Sequence, residues 1–143
     1  MSTEENKAIV LRHYEELNKG NVDIVDELYA PDFVGYITGL PEPVRGRQAQ
    51  KSLVAAFFTA FPNLHETAEE LIAEGDKVVI RESYRGTHKG DFLGIPPTGK
   101  QVAFTSIDIY RIADGKIVEV WSQIDLLSVL QQLGVVPAPG QTN

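Results

Sequence analysis

The chain contains no cysteine, one tryptophan and one methionine in 143 residues. Without thiols, disulfides, thiolate nucleophiles and cysteine-ligated zinc are all excluded. Positive charge is scarce too: 13 Lys and Arg against 20 Asp and Glu give a formal charge of −7. Such a surface repels phosphate backbones and anionic lipid, which argues against nucleic-acid and membrane partners. No apolar run approaches the roughly 18 residues that would span a bilayer. The first residues, Met1 to Lys7, are polar and acidic, the reverse of a secretory signal. His13, His65 and His88 lie far apart, and none has a ligand-spaced partner on its own element. Gly94 to Lys100 has the spacing of a phosphate loop, but Gln101 stands where Ser or Thr is needed and Pro96-Pro97 removes two backbone donors. No Gly-x-Ser-x-Gly elbow is present. The expectation is a soluble, cytoplasmic protein that works without metal or organic cofactor, with carboxylates as its available chemistry.

What is present describes one domain. Hydrophobic residues at 43% and charged residues at 23% give an ordinary globular balance. Ser2 and Glu5 form a capping box; Val10, Leu11, Tyr14 and Leu17 follow at helical spacing, and Gly20 supplies the stop. A short second helix carries Val25, Leu28 and Tyr29 up to Pro31, and Phe33–Ile37 reads as a brief strand. From Arg47, the positions Ala49, Leu53, Phe57 and Ala60 trace a third helix, ended by Pro62. The second half changes period. Glu66–Ala73 and Val78–Thr87 meet at Gly75-Asp76, and Val102–Ile112 and Ile117–Ile124 meet at Asp114-Gly115, both hairpin signals. A short helix over Leu126–Leu133 stops at Gly134. Helices followed by an antiparallel meander predict an α+β fold, with residues 1–134 as one domain and 135–143 as a flexible tail.

The Asp114-Gly115 turn assigns faces, since a two-residue loop pairs Ala113 with Lys116. Tyr110 then lies opposite Glu119, Asp108 opposite Trp121, and Ser106 opposite Gln123. One face would carry Phe104, Ser106, Asp108, Tyr110, Glu119, Trp121, Gln123 and Asp125, the mixture that lines a small-molecule pocket. The other would carry Ile107, Ile109, Val118, Val120 and Ile124, an apolar patch that a second subunit would cover.

Ala60-Phe-Pro-Asn-Leu-His65, Gly75-Asp-Lys-Val78, Arg85-Gly-Thr-His-Lys-Gly90, Phe92 to Lys100, Asp114-Gly-Lys-Ile117, Glu119, Trp121 and Asp125-Leu-Leu…Gln132-Leu-Gly134 together resemble the SnoaL-like ester and polyketide cyclases. These belong to the cone-shaped superfamily named after nuclear transport factor 2. The resemblance runs from Glu4 to Gly134. It implies a curved antiparallel sheet wrapped on three N-terminal helices around an internal pocket. It also implies intramolecular aldol closure of polyketide methyl esters, without cofactor or metal.

The resemblance marks Asp125 as acid/base, although an aspartate before Leu126-Leu-Ser128 is also a natural helix N-cap. Asp108 and Tyr14 resemble the oxyanion donors of steroid isomerases in this superfamily. Arg81 invites comparison with limonene-epoxide hydrolases, whose acids look replaced here by Ser83 and Gln123; it would hold an enolate oxygen or pair with a buried acid. Phe57, Phe104 and Trp121 would shape the cavity, and His88 would reach its rim or lie on the surface. The leading reading is a cyclase or isomerase that abstracts a proton next to a carbonyl in a small apolar or polyketide-like molecule. The alternatives are a non-catalytic pocket protein and a dimerisation domain. A homodimer through the outer sheet face accompanies the leading reading.

Overall fold

The computed structural model of the chain describes residues 2–140. Its elements are α1 (Thr3–Asn18), α2 (Ile24–Leu28), β1 (Tyr29–Ile37), β2 (Val44–Arg45), α3 (Arg47–Ala60), β3 (His65–Glu74), β4 (Lys77–Thr87), β5 (Gln101–Ala113), β6 (Lys116–Ile124) and α4 (Leu126–Gln132). The six strands form a sheet in the order β2-β1-β6-β5-β4-β3. All neighbours are antiparallel except β1 and β6, which run parallel. The sheet is therefore mixed rather than purely antiparallel, because the helical first half ends in a strand that docks beside the last one.

Local chemistry sets the element ends. The capping box is made in full: Ser2 N donates to Glu5 Oε1 at 3.0 Å and Glu5 N to Ser2 Oγ at 3.1 Å. β1 begins at Tyr29, before Pro31, and its pairing with β6 shifts between Tyr29 and Val34. A proline, which has no donor, is tolerated in such an irregular stretch. Asp114 and Gly115 both take positive φ, as the tight turn between β5 and β6 requires. Gly90 follows from close approach: a Cβ there would lie 2.1 Å from the Thr59 carbonyl oxygen at the end of α3. In the region expected to be loose, Val135 and Val136 donate to the Leu130 carbonyl, and Gln131 donates to that of Pro137. Residues 141–143 of that expectation lie outside the described residues.

One irregularity reassigns the faces. Ala113 pairs with Lys116 and Ile112 with Ile117, but a bulge then slips the register so that Arg111 faces Glu119. Tyr110 lies opposite Val120, Asp108 opposite Ser122, and Ser106 opposite Ile124. A one-residue slip exchanges the two faces of a strand. Trp121, Gln123 and Glu119 therefore stand on the outer face, while Val120, Ser122 and Ile124 turn inward.

Two apolar clusters build the interior. One joins Val10, Tyr14 and Leu17 of α1 to Ile24, Val25, Tyr29, Phe33, Ile80, Tyr110 and Val120. The other joins Ala60, Phe61, Phe92, Phe104, Val129 and Leu133. Side chains from both, together with Leu53, Val54, Phe57 and Phe58 of α3, enclose a chamber between helices and sheet.

Candidate active site

The chamber has a volume of about 100 Å³. It adjoins a vestibule of about 150 Å³ between residues 37–40 and 91–93, and the two share Ile37, Leu53, Phe57 and Ile124. The walls are mainly aliphatic and aromatic. The inner end is not. There, cross-strand rows set Glu66 beside Tyr84, Glu82 beside Ser106, and Asp108 beside Ser122.

Asp108 is buried and receives three hydroxyls: Ser106 Oγ at 2.8 Å and Ser122 Oγ at 2.7 Å on Oδ1, and Tyr14 OH at 3.2 Å on Oδ2. Tyr14 OH also lies 3.4 Å from Glu82 Oε1 and in hydrogen-bond contact with the Tyr110 hydroxyl. Tyr84 OH donates to Glu82 Oε1 at 3.1 Å. Burial first, and the adjoining Asp108 second, push the Glu82 carboxyl up to about 12. The same two causes in the same order raise Glu66 well above the carboxylate range. Burial also raises the phenols of Tyr14, Tyr84 and Tyr110, so they remain hydrogen-bond donors at neutral pH. His13, hydrogen-bonded to Tyr29 OH at 3.0 Å, is pushed down to about 3 by burial and stays neutral. No Lys or Arg lines the chamber among the described residues. Nor is any group of three or more His, Asp or Glu there placed to hold a metal ion.

Of the residues singled out from the sequence, Tyr14, Phe57, Phe104 and Asp108 line this chamber. Phe104 stacks on Tyr84 with ring centroids 4.8 Å apart. The others lie elsewhere. Arg81 and Ser83 point outward from β4, because inward positions there belong to Val78, Ile80 and Glu82. Arg81 pairs with Glu70 at 3.4 Å rather than with a buried acid. Trp121 stacks on Tyr36 on the outer face, and Gln123 is exposed there. Asp125 is exposed and caps α4, accepting from Ser128 N at 3.1 Å. His88 neither reaches the chamber nor lies on the surface. It is fully buried against Phe61 and Phe92, and its Nδ1 accepts from Thr98 N at 3.2 Å.

Glu66, Glu82 and Tyr84 belong to no motif in the sequence, and His13 enters there only as a histidine without a ligand-spaced partner. For Glu82 a signal existed: Val78, Ile80, Glu82 and Tyr84 share one strand phase, so a carboxylate stands where the period demands an apolar residue. For Glu66 the phase is hidden, because the pairing of β3 shifts between Ala68 and Glu70.

A curved sheet closed by helices over a chamber with a polar inner end defines the cone-shaped α+β class. The comparisons place it further: the chain belongs to the SnoaL-like polyketide cyclases, whose family model matches residues 8–133. It is similar to the aklanonic acid methyl ester cyclase DnrD of Streptomyces peucetius, 31% identical over 88% of each chain. It is similar to the nogalonic acid methyl ester cyclase of Streptomyces nogalater, 31% identical over 82% of this chain and 88% of that one. Among solved structures it matches AclR, a candidate hydroxylase from Streptomyces galilaeus, at a TM-score of 0.85 and 31% identity, covering 95% of this chain and 100% of AclR. One fold thus carries more than one reaction name, and the reaction must be argued from the site. No helix among the described residues is long and apolar enough to cross a membrane.

Proposed function

We propose that the chamber is the active site of a cyclase for a neutral, esterified polyketide-like molecule, closing a ring by aldol chemistry. The observation that supports this most is a carboxyl and phenol cluster at the inner end of an otherwise apolar chamber that no Lys or Arg lines. An anionic ligand would find no counter-charge there, whereas an ester or ketone oxygen finds donors. Asp108, held by three hydroxyls, is the member arranged to carry charge and to take a proton from the carbon next to a carbonyl. Tyr14 lines the same space and stays protonated, so its one O–H proton holds Asp108 in place. Asp125 stands outside the chamber, between the vestibule residues Ile124 and Leu126. Proton transfer is therefore assigned to the inner cluster.

Incubation with aklanonic acid methyl ester, the molecule named for one relative, should give a cyclised product. Binding without conversion at stoichiometric protein would replace this reading with that of a non-catalytic pocket protein.

The outer sheet face supports a homodimer. Tyr36, Trp121, Ile109, Val79 and Ile72 are successive cross-strand partners over β1, β6, β5, β4 and β3. Tyr36 is 42% exposed, Ile72 58% and neighbouring Ile107 51%. The row is flanked by the ion pairs Arg81–Glu70 and Arg111–Glu119, an apolar centre with a mixed-charge rim that suits a second copy.

A further inference from the structure

Glu66 occupies the first inward position of β3, and its main chain is clamped by the last residue of α1. Asn18 Nδ2 donates to the Glu66 carbonyl at 2.8 Å, and Glu66 N donates to Asn18 Oδ1 at 2.9 Å. This pair acts as an extra rung that fixes residue 66 against the helix. The side chain lines the chamber and is 7% exposed, yet its Oε1 has no hydrogen-bond partner. Two other residues of the lining, Gln50 and His13, also keep a buried atom without a partner, Oε1 and Nδ1 respectively. Buried polar atoms are seldom left so, and three of them on residues that line one chamber mark this end of the cavity as built for polar chemistry.

Glu66 and Asp108 are carboxyl groups in opposite surroundings. Asp108 receives three hydroxyl donors, which suit a carboxylate. Glu66 is buried beside Tyr84 with Asp108 nearby and Oε1 unpartnered, which suits a carboxylic acid. Two carboxyls with such different hydrogen-bond surroundings are suited to serve as an acid and a base. Glu82 is also uncharged, but it lies beneath Tyr14 and Tyr84 and is not part of the chamber wall.

We propose that Glu66 is a catalytic acid of this site, donating from its carboxyl group to the carbonyl oxygen of the bound ester or ketone. This deepens the cyclase reading and rests on it. The balance of the step is closed. Asp108 takes the proton as the α C–H bond breaks, and Glu66 passes its own to the carbonyl oxygen, giving an enol. The enol carbon attacks the acceptor carbonyl, forming the C–C bond. Asp108 protonates the new alkoxide, and the enol O–H proton returns to Glu66. Nothing is oxidised or reduced, and both acids end as they began.

The test uses acetophenone carrying carbonyl ¹³C, a one-ring ketone within the combined size of chamber and vestibule. Its carbonyl resonance should move several ppm downfield on binding to the wild-type protein. The shift should be lost in Glu66→Leu and reduced in Glu66→Gln, whose amide is a weaker donor. If Glu66→Leu does not fold, as judged by circular dichroism, Glu66→Gln alone carries the comparison. With aklanonic acid methyl ester, Glu66→Gln should lower kcat by about 10²–10⁴-fold and leave KM nearly unchanged. A carbonyl shift in the variants equal to that of the wild type would overturn the role of Glu66 and leave the pocket reading standing. Failure of the wild type to bind acetophenone at all would overturn both.

Discussion

The two faces of the sheet carry the same residue types with opposite outcomes. Arg81 and Glu82 are adjacent in β4, yet Arg81 is half-exposed and paired with Glu70, while Glu82 is fully buried with Oε2 unpartnered. On the outer face Glu70 and Glu119 both find an arginine, at 3.4 and 2.8 Å. On the inner face Glu66, Glu82 and Asp108 have hydroxyls and one another as neighbours, with no Lys or Arg in the chamber lining among the described residues. Exposed ion pairs contribute about 0–1 kcal/mol each, so the outer arrangement has little to gain or lose. A buried carboxyl without a cation lowers stability, and three of them on the inner face of the sheet support the proposed active site there.

The sharpest way to break this contrast is to neutralise one acid on each face. Asp108→Asn should reduce turnover of aklanonic acid methyl ester by about 10²–10⁴-fold, the usual worth of a positioned proton carrier. Arg81→Ala should leave turnover near the wild-type value. Equal losses in the two variants, measured by steady-state kinetics, would erase the distinction between the faces.

Acid and alkali separate the faces next. The inner Glu82 keeps its proton in the fold, where its carboxyl is pushed up to about 12, but loses it near 4.5 when unfolded. Across that window the unfolded chain binds fewer protons, so stability is greatest below the lower value and falls as pH rises. The slope reaches at most about 1.4 kcal/mol per pH unit for such a group. Glu66 acts in the same direction. The surface carboxyls Glu5, Glu16 and Asp26, lowered by hydrogen bonds from Ser2, Asn21 and Lys51, act oppositely and lose their contribution as pH falls. Urea midpoints measured from weakly acidic to alkaline pH should therefore decline, and Glu82→Gln should flatten the decline. A wild-type midpoint that rises over that range would contradict the buried, protonated state of the cluster.

A smaller effect tests the outer face alone. Ile72→Glu puts a charge at the exposed end of the apolar row. It should weaken self-association by tenfold or more, about 1.4 kcal/mol, without lowering the melting temperature of the monomer. A wild-type protein that scatters light as a 15.8 kDa species at micromolar concentration would remove the dimer.

The contrast between faces also explains what could be read from the chain. The longer helices, both hairpin turns and the order of the last four strands follow from local signals, since capping residues, Asp114-Gly115 and strand alternation act over a few positions, whereas the short β2 and the start of β1 at Tyr29 do not. The parallel pairing of β1 with β6 has no such signal, because it joins segments about 85 residues apart in sequence. The bulge beyond Ile112 is equally silent, and one slipped residue moved Trp121 and Gln123 away from the chamber and Ser122 into it. Asp108 and Tyr14 line the chamber because each lies on the side of its element that packing alone dictates. Glu66 needed both a strand irregularity and the Asn18 clamp to be placed.

The smallest effect expected is at Asp125, and it is the most discriminating. In the fold this residue is an exposed N-cap whose Oδ1 accepts from Ser128 N. Asparagine caps a helix nearly as well as aspartate, so Asp125→Asn should change neither stability nor turnover appreciably. Asp125→Ala removes the cap and should cost roughly 1 kcal/mol in urea denaturation, with kcat close to wild type. The family resemblance, in contrast, makes Asp125 the acid/base, and then Asp125→Asn would stop turnover while leaving the helix intact. The two variants therefore separate a cap from a proton carrier by different measurements on one side chain. If Asp125→Asn abolishes cyclisation and Asp108→Asn does not, proton transfer belongs at the mouth of the vestibule, and the inner cluster serves only to bind the carbonyl end of the ligand.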